Sequence, residues 1–480
     1  MKQSRRDFLR LSALGALAPV ARAAEPKPNV LFIVSDDLDT RIRAYGDPVA
    51  ITPNIDRLAK NGIRFDRAYC QYPLCNPTRS SVLSGMYPTT TKVLDNNTYL
   101  TLKPGQRTMP DYFADHGYQV NRFGKVFHAQ NTGLAEGADK PEKPAGWFTP
   151  AERTKQQADD PDYWQKTHSP YRNMKVPDAK QYAWANVYEP LPSTDRGLDA
   201  ATADKALEVL DKAGAAAKPF FLAVGFAKPH VPLSAPKEFF DLYKPEAMPL
   251  PADFDTEPRA IENFPRDEFR QNIDLFAGRP FTVDEARHAM RAYYACVSYL
   301  DAQVGRLLDK LKQTGLDRNT IIVFFGDHGW HLGEKGMWAK GTLFEVSARG
   351  PMIIVDPLKS TAGQMCPRVV QYLDMYPTLL DLCALPKAPW LQGVSLKPLL
   401  ENPKAAWNRP AYTVQVRDWY LGRSVRNERF RYTEWDEGRR GASLFDHDKD
   451  PNEMRNLAQD PAHEAVVKLL RQLLHTGPIR

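Results

Sequence analysis

The chain has 480 residues, 42% hydrophobic and 25% charged. That is the balance of an ordinary soluble globular protein, too long for one small core, so a large domain with a smaller partner is expected. The formal net charge of +6 comes in good part from Lys2, Arg5, Arg6 and Arg10; without them the chain is nearly neutral, which argues against nucleic acid as a partner.

In chain order, residues 1–24 read as an address rather than as structure. Ser4-Arg5-Arg6-Asp7-Phe8-Leu9 leads into a mild apolar run, and Ala21-Arg22-Ala23 resembles a small-residue cleavage site. Paired arginines before Phe-Leu resemble a twin-arginine signal, so the twin-arginine export machinery is an expected partner and a periplasmic or secreted protein is expected. The apolar run has about half of the roughly 20 residues a membrane span needs, and no later stretch does better, so no stable membrane insertion is expected.

Residues 29–35 form an apolar run that fits a strand buried on both faces of a parallel sheet, and Asp36 and Asp37 follow at once. A similar run at 219–226 leads to Lys228-Pro229-His230, and a third at 320–325 leads to Gly326-Asp327-His328-Gly329. Three buried strands that each end in reactive residues predict an α/β fold, a large mostly parallel sheet flanked by helices with ligands beyond the strand ends. Residues 287–312 carry Met290, Tyr293, Tyr294, Val297, Leu300, Val304, Leu307, Leu308 and Leu311 at helical spacing, and Gly315 stops the helix. Asp301 on it reads as an exposed or capping charge. Segments 129–195 and 231–284 are weakly periodic and rich in proline, and loops of that length read as the rim of a pocket.

A boundary falls near 401–408, which gives a catalytic domain over 25–403 and a C-terminal α+β subdomain over 404–480. Short strands at 411–416, 424–425 and 430–432 predict a small antiparallel sheet there, with a helix over 461–475. The five cysteines, Cys70, Cys75, Cys296, Cys366 and Cys383, are an odd number for an oxidising compartment, so at least one is unpaired.

Cys75-Asn76-Pro77-Thr78-Arg79, with Leu83-Ser84-Gly85 downstream, resembles the signature of type I sulfatases of the alkaline phosphatase superfamily. The likeness extends over essentially the whole mature chain, towards the iduronate-2-sulfatases in particular. It runs through Asp36-Asp37-Leu38, Gly124-Lys125-Val126-Phe127-His128, Lys228-Pro229-His230, Ser298-Tyr299-Leu300-Asp301, Asp327-His328-Gly329-Trp330 and Trp338-Ala339-Lys340. Leu444-Phe445-Asp446 and Asp450-Pro451-Asn452-Glu453 add to it near the end. The resemblance implies that Cys75 is converted to formylglycine (3-oxoalanine) by a formylglycine-generating or anaerobic sulfatase-maturating enzyme. A Cys70–Cys75 disulfide is the plain alternative.

A sulfate ester is an anion, so a nucleophile can approach it only among cations. Asp36, Asp37 and Asp327 offer hard oxygen ligands suited to calcium in preference to magnesium, and the resemblance adds His328 and side chain 75 to the metal shell. It further implies that a hydrated aldehyde at 75 attacks sulfur with one hydroxyl and breaks down the ester with the other. Arg79 would hold that group, Lys125 and Lys340 would neutralise the sulfate oxygens, and His128 and His230 are the acid–base candidates, with His230 protonating the departing oxygen. Each residue has a plainer reading, such as helix capping for Asp36 and Asp37 or surface charge for the lysines. His116, His288 and His331 match no expected role, and Trp147, Trp164, Trp184 and Trp330 could stack on sugars or pack in the core. The expected substrate is a sulfated carbohydrate, a 2-O-sulfated terminal uronic acid by the iduronate-2-sulfatase likeness. Another sulfated polysaccharide, or phosphodiester or phosphonate hydrolysis on the same fold, is the alternative.

Overall fold

The computed structural model describes residues 27–128, 187–192, 195–213, 218–357, 359 and 361–479. Its centre is β1 (Asn29–Asp36), flanked by β4 (Phe220–Pro229) and β5 (Thr320–Gly326) in parallel register. With β2 (Ile63–Tyr69), β3 (Gln119–Gly124), β6 (Arg349–Val355) and β7 (Met365–Gln371) these make a seven-stranded sheet of order β3-β4-β1-β5-β6-β2-β7. Only β6 runs against the rest. The mostly parallel sheet expected from the sequence is therefore present.

The continuous apolar runs have a physical cause, because successive side chains point to opposite faces and both faces are covered. Leu31, Ile33, Phe220, Leu222, Val224, Ile322 and Phe324 enter one core. Val30, Phe32, Val34, Phe221, Ala223, Ile321, Val323 and Phe325 enter the other.

Four helices matter to the site: α1 (Pro53–Asn61), α2 (Cys75–Ser84), α3 (Leu198–Ala213) and α4 (Val283–Thr314). The expected apolar stripe on α4 is buried against the first core, apart from the partly buried Leu308. A Thr282/Glu285 capping box starts α4, and Gly315, at φ 71°, ends it. Asp301 caps, but it is not exposed: it is 2% accessible and accepts the Asn54 and Ile55 amides at 3.0 and 2.7 Å, so it caps α1 from the side of α4.

At the other end β8 (Ala411–Arg417), β9 (Tyr420–Arg426), β10 (Phe430–Trp435) and β11 (Ala442–Asp446) form a separate antiparallel sheet of order β11-β10-β9-β8. Helix α5 (Glu464–Thr476) buries Leu470 and Leu474 in a core with Val414, Val425, Tyr432 and Leu444. Segment 231–284 is described and is mostly irregular, with short helices such as Lys237–Phe240 and Arg266–Glu268 before α4 begins at Val283. Most of 129–195, with Trp147, Trp164 and Trp184, lies outside the described residues.

Candidate active site

Four adjacent parallel strands end on one edge of the large sheet. There β3 delivers Lys125, β4 delivers His230, β1 delivers Asp36 and Asp37, and β5 delivers Asp327 and His328. The Asp37 backbone is left-handed, with φ 61°. Tyr293 of α4 holds that turn, its hydroxyl donating to the Asp37 carbonyl at 2.8 Å and accepting the Asp39 amide at 3.0 Å. The Asp37 amide donates to Asp327 Oδ1 at 3.1 Å, which ties two strand ends together.

Helix α2 starts at Cys75 and is buried along its whole length. Residues four apart share a helix face, so Cys75 and Arg79 face the strand ends together. Arg79 Nε donates to Asp327 Oδ2 at 2.9 Å, Nη2 to Asp36 Oδ1 at 3.3 Å, and Nη1 to the Val126 carbonyl at 3.2 Å. Lys125 Nζ pairs with Asp36 Oδ2. Its backbone can sit there because position 225 is glycine: a Cβ on Gly225 would lie 2.1 Å from the Lys125 carbonyl carbon. Lys340 comes from the loop between β5 and β6. Its Nζ donates to both Asp37 oxygens, at 2.7 and 2.9 Å, and lies 3.3 Å from Cys75 Sγ. His230 Nε2 is 3.9 Å from Asp37 Oδ2, and both His128 and His230 hydrogen-bond with the Cys75 side chain.

Water has almost no access, since Asp36, Asp37, Arg79, Asp327 and His328 are each at most 1% exposed. In that medium neighbouring charge decides protonation. Burial and Cys75 oppose ionisation of Asp36, but Lys125, His230 and Arg79 hold its carboxyl well below the usual range. Burial likewise raises the Cys75 thiol, and Lys125 and Lys340 overcome it, so the thiol is held well below its ordinary value. The His128 and His230 imidazoles are split. Burial lowers His128, whereas in His230 the carboxylates of Asp37 and Asp36 outweigh burial and Lys340 and raise it.

The donor set fits a hard divalent cation. Ligand atoms of Asp36, Asp37, Cys75 and His328 all lie within 4.8 Å of one another. His328 Nδ1 contacts the Gly329 carbonyl at 3.0 Å, which leaves Nε2 as the free lone pair. That Nε2 is buried beside the Cys75 thiol with no nitrogen or oxygen hydrogen-bond partner among the described residues, 3.5 Å from Asp37 Oδ1 and 3.6 Å from Asp327 Oδ1. Acceptors facing acceptors need a proton or a cation between them. Sulfur at position 75 is the soft member of an otherwise hard set, and an oxygen there would complete it.

All the residues singled out in the sequence for this site converge. Tyr293 was legible only as one more apolar position on α4, and nothing in the sequence marked the Tyr293 hydroxyl or Gly225 as supports of the site. Trp330 packs in the core, its ring stacked at 5.9 Å and 4° on Tyr293. His331 is buried against the Thr342 hydroxyl at 2.8 Å. All five cysteines are free thiols, so Cys70 and Cys75 are not joined.

A cationic, water-poor cleft over paired carboxylates at the strand ends of such a sheet defines a hydrolase for anionic esters. The Sulfatase family model matches residues 28–384, and the model for N-sulphoglucosamine sulphohydrolase, C-terminal, matches 333–477. The chain belongs to the sulfatase family, the type I sulfatases of the alkaline phosphatase superfamily, and is a sulfuric ester hydrolase. It is similar to iduronate 2-sulfatase of Homo sapiens, 35% identical over 402 residues that cover 75% of this chain and 70% of the human protein. It is also similar to delta 4,5-hexuronate-2-O-sulfatase of Bacteroides thetaiotaomicron, 28% identical over 484 residues, covering 96% and 90% of the two chains. The crystal structure of phosphonate monoester hydrolase of Agrobacterium radiobacter shares the fold, with a TM-score of 0.74 at 23% identity over 94% of this chain and 95% of that one.

Proposed function

We propose that the protein removes the 2-O-sulfate of a terminal uronic acid during breakdown of a sulfated polysaccharide, with Cys75 carried as formylglycine. The observation that carries this reading is the place of side chain 75, at the start of a buried helix, among Asp36, Asp37 and His328 and 3.3 Å from Lys340 Nζ. The thiol sulfur marks where the oxygen of the converted side chain would stand. A maturase of the formylglycine-generating or anaerobic type is the implied partner, and twin-arginine export the implied route.

Asp36, Asp37, Asp327, His328 and side chain 75 would hold calcium, which supplies Lewis-acid polarisation of a sulfate oxygen. The chain's own residues account for the rest. Arg79 spans Asp36 and Asp327 and fixes the two carboxylates that face side chain 75. Lys125 and Lys340 present ammonium groups to the oxygens on which charge develops. His230, with its raised proton affinity, is suited to give a proton to the departing sugar oxygen, and His128, with its lowered affinity, to accept one. Two relatives, named iduronate 2-sulfatase and delta 4,5-hexuronate-2-O-sulfatase, support the substrate class.

The test compares release of sulfate, phosphate and phosphonate from simple aryl esters, followed by desulfation of 2-sulfated uronates. Sulfate release together with turnover of the 2-sulfated uronate is expected. Turnover confined to sulfated galactose or fucose would refute the uronate assignment, and preference for the phosphonate ester would refute the sulfatase reading of the site.

A further inference from the structure

Beside the catalytic cleft two guanidinium groups lie near one another, on neighbouring carbonyls and with no paired carboxylate among the described residues. Arg270 lies in segment 231–284 and Arg417 is the last residue of β8. They reach consecutive carbonyls of the loop that carries Lys340: Arg270 Nη1 donates to the Lys340 carbonyl at 2.6 Å, and Arg417 Nη2 to the Gly341 carbonyl at 2.8 Å. Both are partly buried, and among the described residues neither has a carboxylate within 4.0 Å. The nearby Asp267 carboxylate is already held by Arg440, at 2.5 and 3.2 Å, and Asp418 is exposed. Burial and the charge of Arg270 pull Arg417 down to about 10.

Gln415 supplies an independent observation. It is 5% exposed, and its Nε2 donates to the Tyr72 hydroxyl at 3.1 Å and the Val416 carbonyl at 2.9 Å, which fixes the orientation of the amide. Its Oε1 is buried and has no hydrogen-bond partner among the described residues. The space above Gly341 locates these groups together: a Cβ there would lie 2.6 Å from Arg270 Nη1 and 3.5 Å from Gln415 Oε1. Tyr72 stands three residues before Cys75, so this corner touches both the loop that carries Lys340 and the segment that leads into α2.

We propose that Arg270, Arg417 and Gln415 form a second anion subsite, which takes an oxyanion of the substrate other than the ester sulfate. Two guanidinium forks match the planar oxygens of a carboxylate or the face of a sulfate. An adjacent sugar hydroxyl would satisfy the Gln415 oxygen. The anion is a uronate carboxylate on the sugar being desulfated or a sulfate on the next sugar. This rests on the reading of the substrate as a sulfated sugar. A half-buried pair of like charges is costly to keep, and a ligand that brings opposite charge relieves that cost.

Three substrates separate the sources: a 2-O-sulfated uronoside, its carboxyl-reduced counterpart, and a neutral sugar sulfate extended by a second sulfated residue. The wild-type enzyme should prefer one anionic substrate over the neutral one by about tenfold or more in kcat/KM. Arg270→Gln and Arg417→Gln should erase most of that preference through KM, and Arg417→Lys should keep part of it. Should a glutamine variant fail to fold, the wild-type preference and the lysine variant still decide. Equal turnover of all three substrates by the wild type, or an equal loss on all three in the variants, would overturn the subsite. Turnover of the extended disulfate without the uronoside would leave the subsite standing and remove the uronate assignment.

Discussion

Lys340→Met keeps an unbranched stem in the cleft and deletes the charge. The lost ammonium sits 2.7 and 2.9 Å from the Asp37 oxygens and 3.3 Å from Cys75 Sγ, so it serves both a buried carboxylate and the reacting position. Removing one preorganised donor from a site where negative charge develops costs about a hundredfold or more in kcat, about 3 kcal/mol. Leaving a buried carboxylate without its partner costs about 3–5 kcal/mol of stability. His328 and His230 remain 3.5 and 3.9 Å from Asp37, which places the stability loss at the low end. The assay is kcat on an aryl sulfate at saturation, with thermal unfolding in parallel. A lowered kcat, nearly unchanged KM and a Tm lower by a few degrees are expected. A folded variant that keeps kcat within about twofold would show that Lys340 serves only Asp37, and the role given to it in neutralising sulfate would be wrong.

Chelation with EGTA should lower both Tm and activity, with calcium restoring them better than magnesium; an unchanged Tm would remove the metal from Asp36, Asp37 and His328. Gly225→Ala drives a Cβ to 2.1 Å from the Lys125 carbonyl carbon, where backbone cannot yield cheaply, and should cost about 3 kcal/mol in urea unfolding. An unshifted midpoint would contradict the close approach of β3 and β4. His331 bears on acid stability. Burial pushes its imidazole down to about 4, while in the unfolded chain it titrates near 6.5. As pH falls from 6.5 towards 4 the unfolded chain therefore gains the proton first, and up to about 3 kcal/mol of stability is lost over that window. His331→Gln should flatten this part of the pH profile of denaturant midpoints, and an identical profile would show that the acid sensitivity lies elsewhere.

The catalytic edge was legible because β1, β4 and β5 are buried on both faces and so read as unbroken apolar runs, each closed by polar residues. Other strands gave no such signal. β2 reads Ile-Arg-Phe-Asp-Arg-Ala-Tyr, with charges on its half-exposed face and a break in register, and β7 carries Pro367 inside it. The reversal of β6 leaves no mark in composition at all. Asp301 was legible as a cap, but the helix it caps lies 240-odd residues earlier in the chain, a contact only the fold makes. The Arg270 and Arg417 pair is of the same kind: each is an ordinary arginine in a polar stretch until the loop around Gly341 brings them together.

The central claim is that side chain 75 reacts as an aldehyde hydrate held among cations. Mass spectrometry of the peptide bearing residue 75, taken from enzyme purified active from its native host, tests it most directly. The peptide should carry the mass of formylglycine in proportion to specific activity. An intact thiol at that position in a fully active preparation would contradict the account.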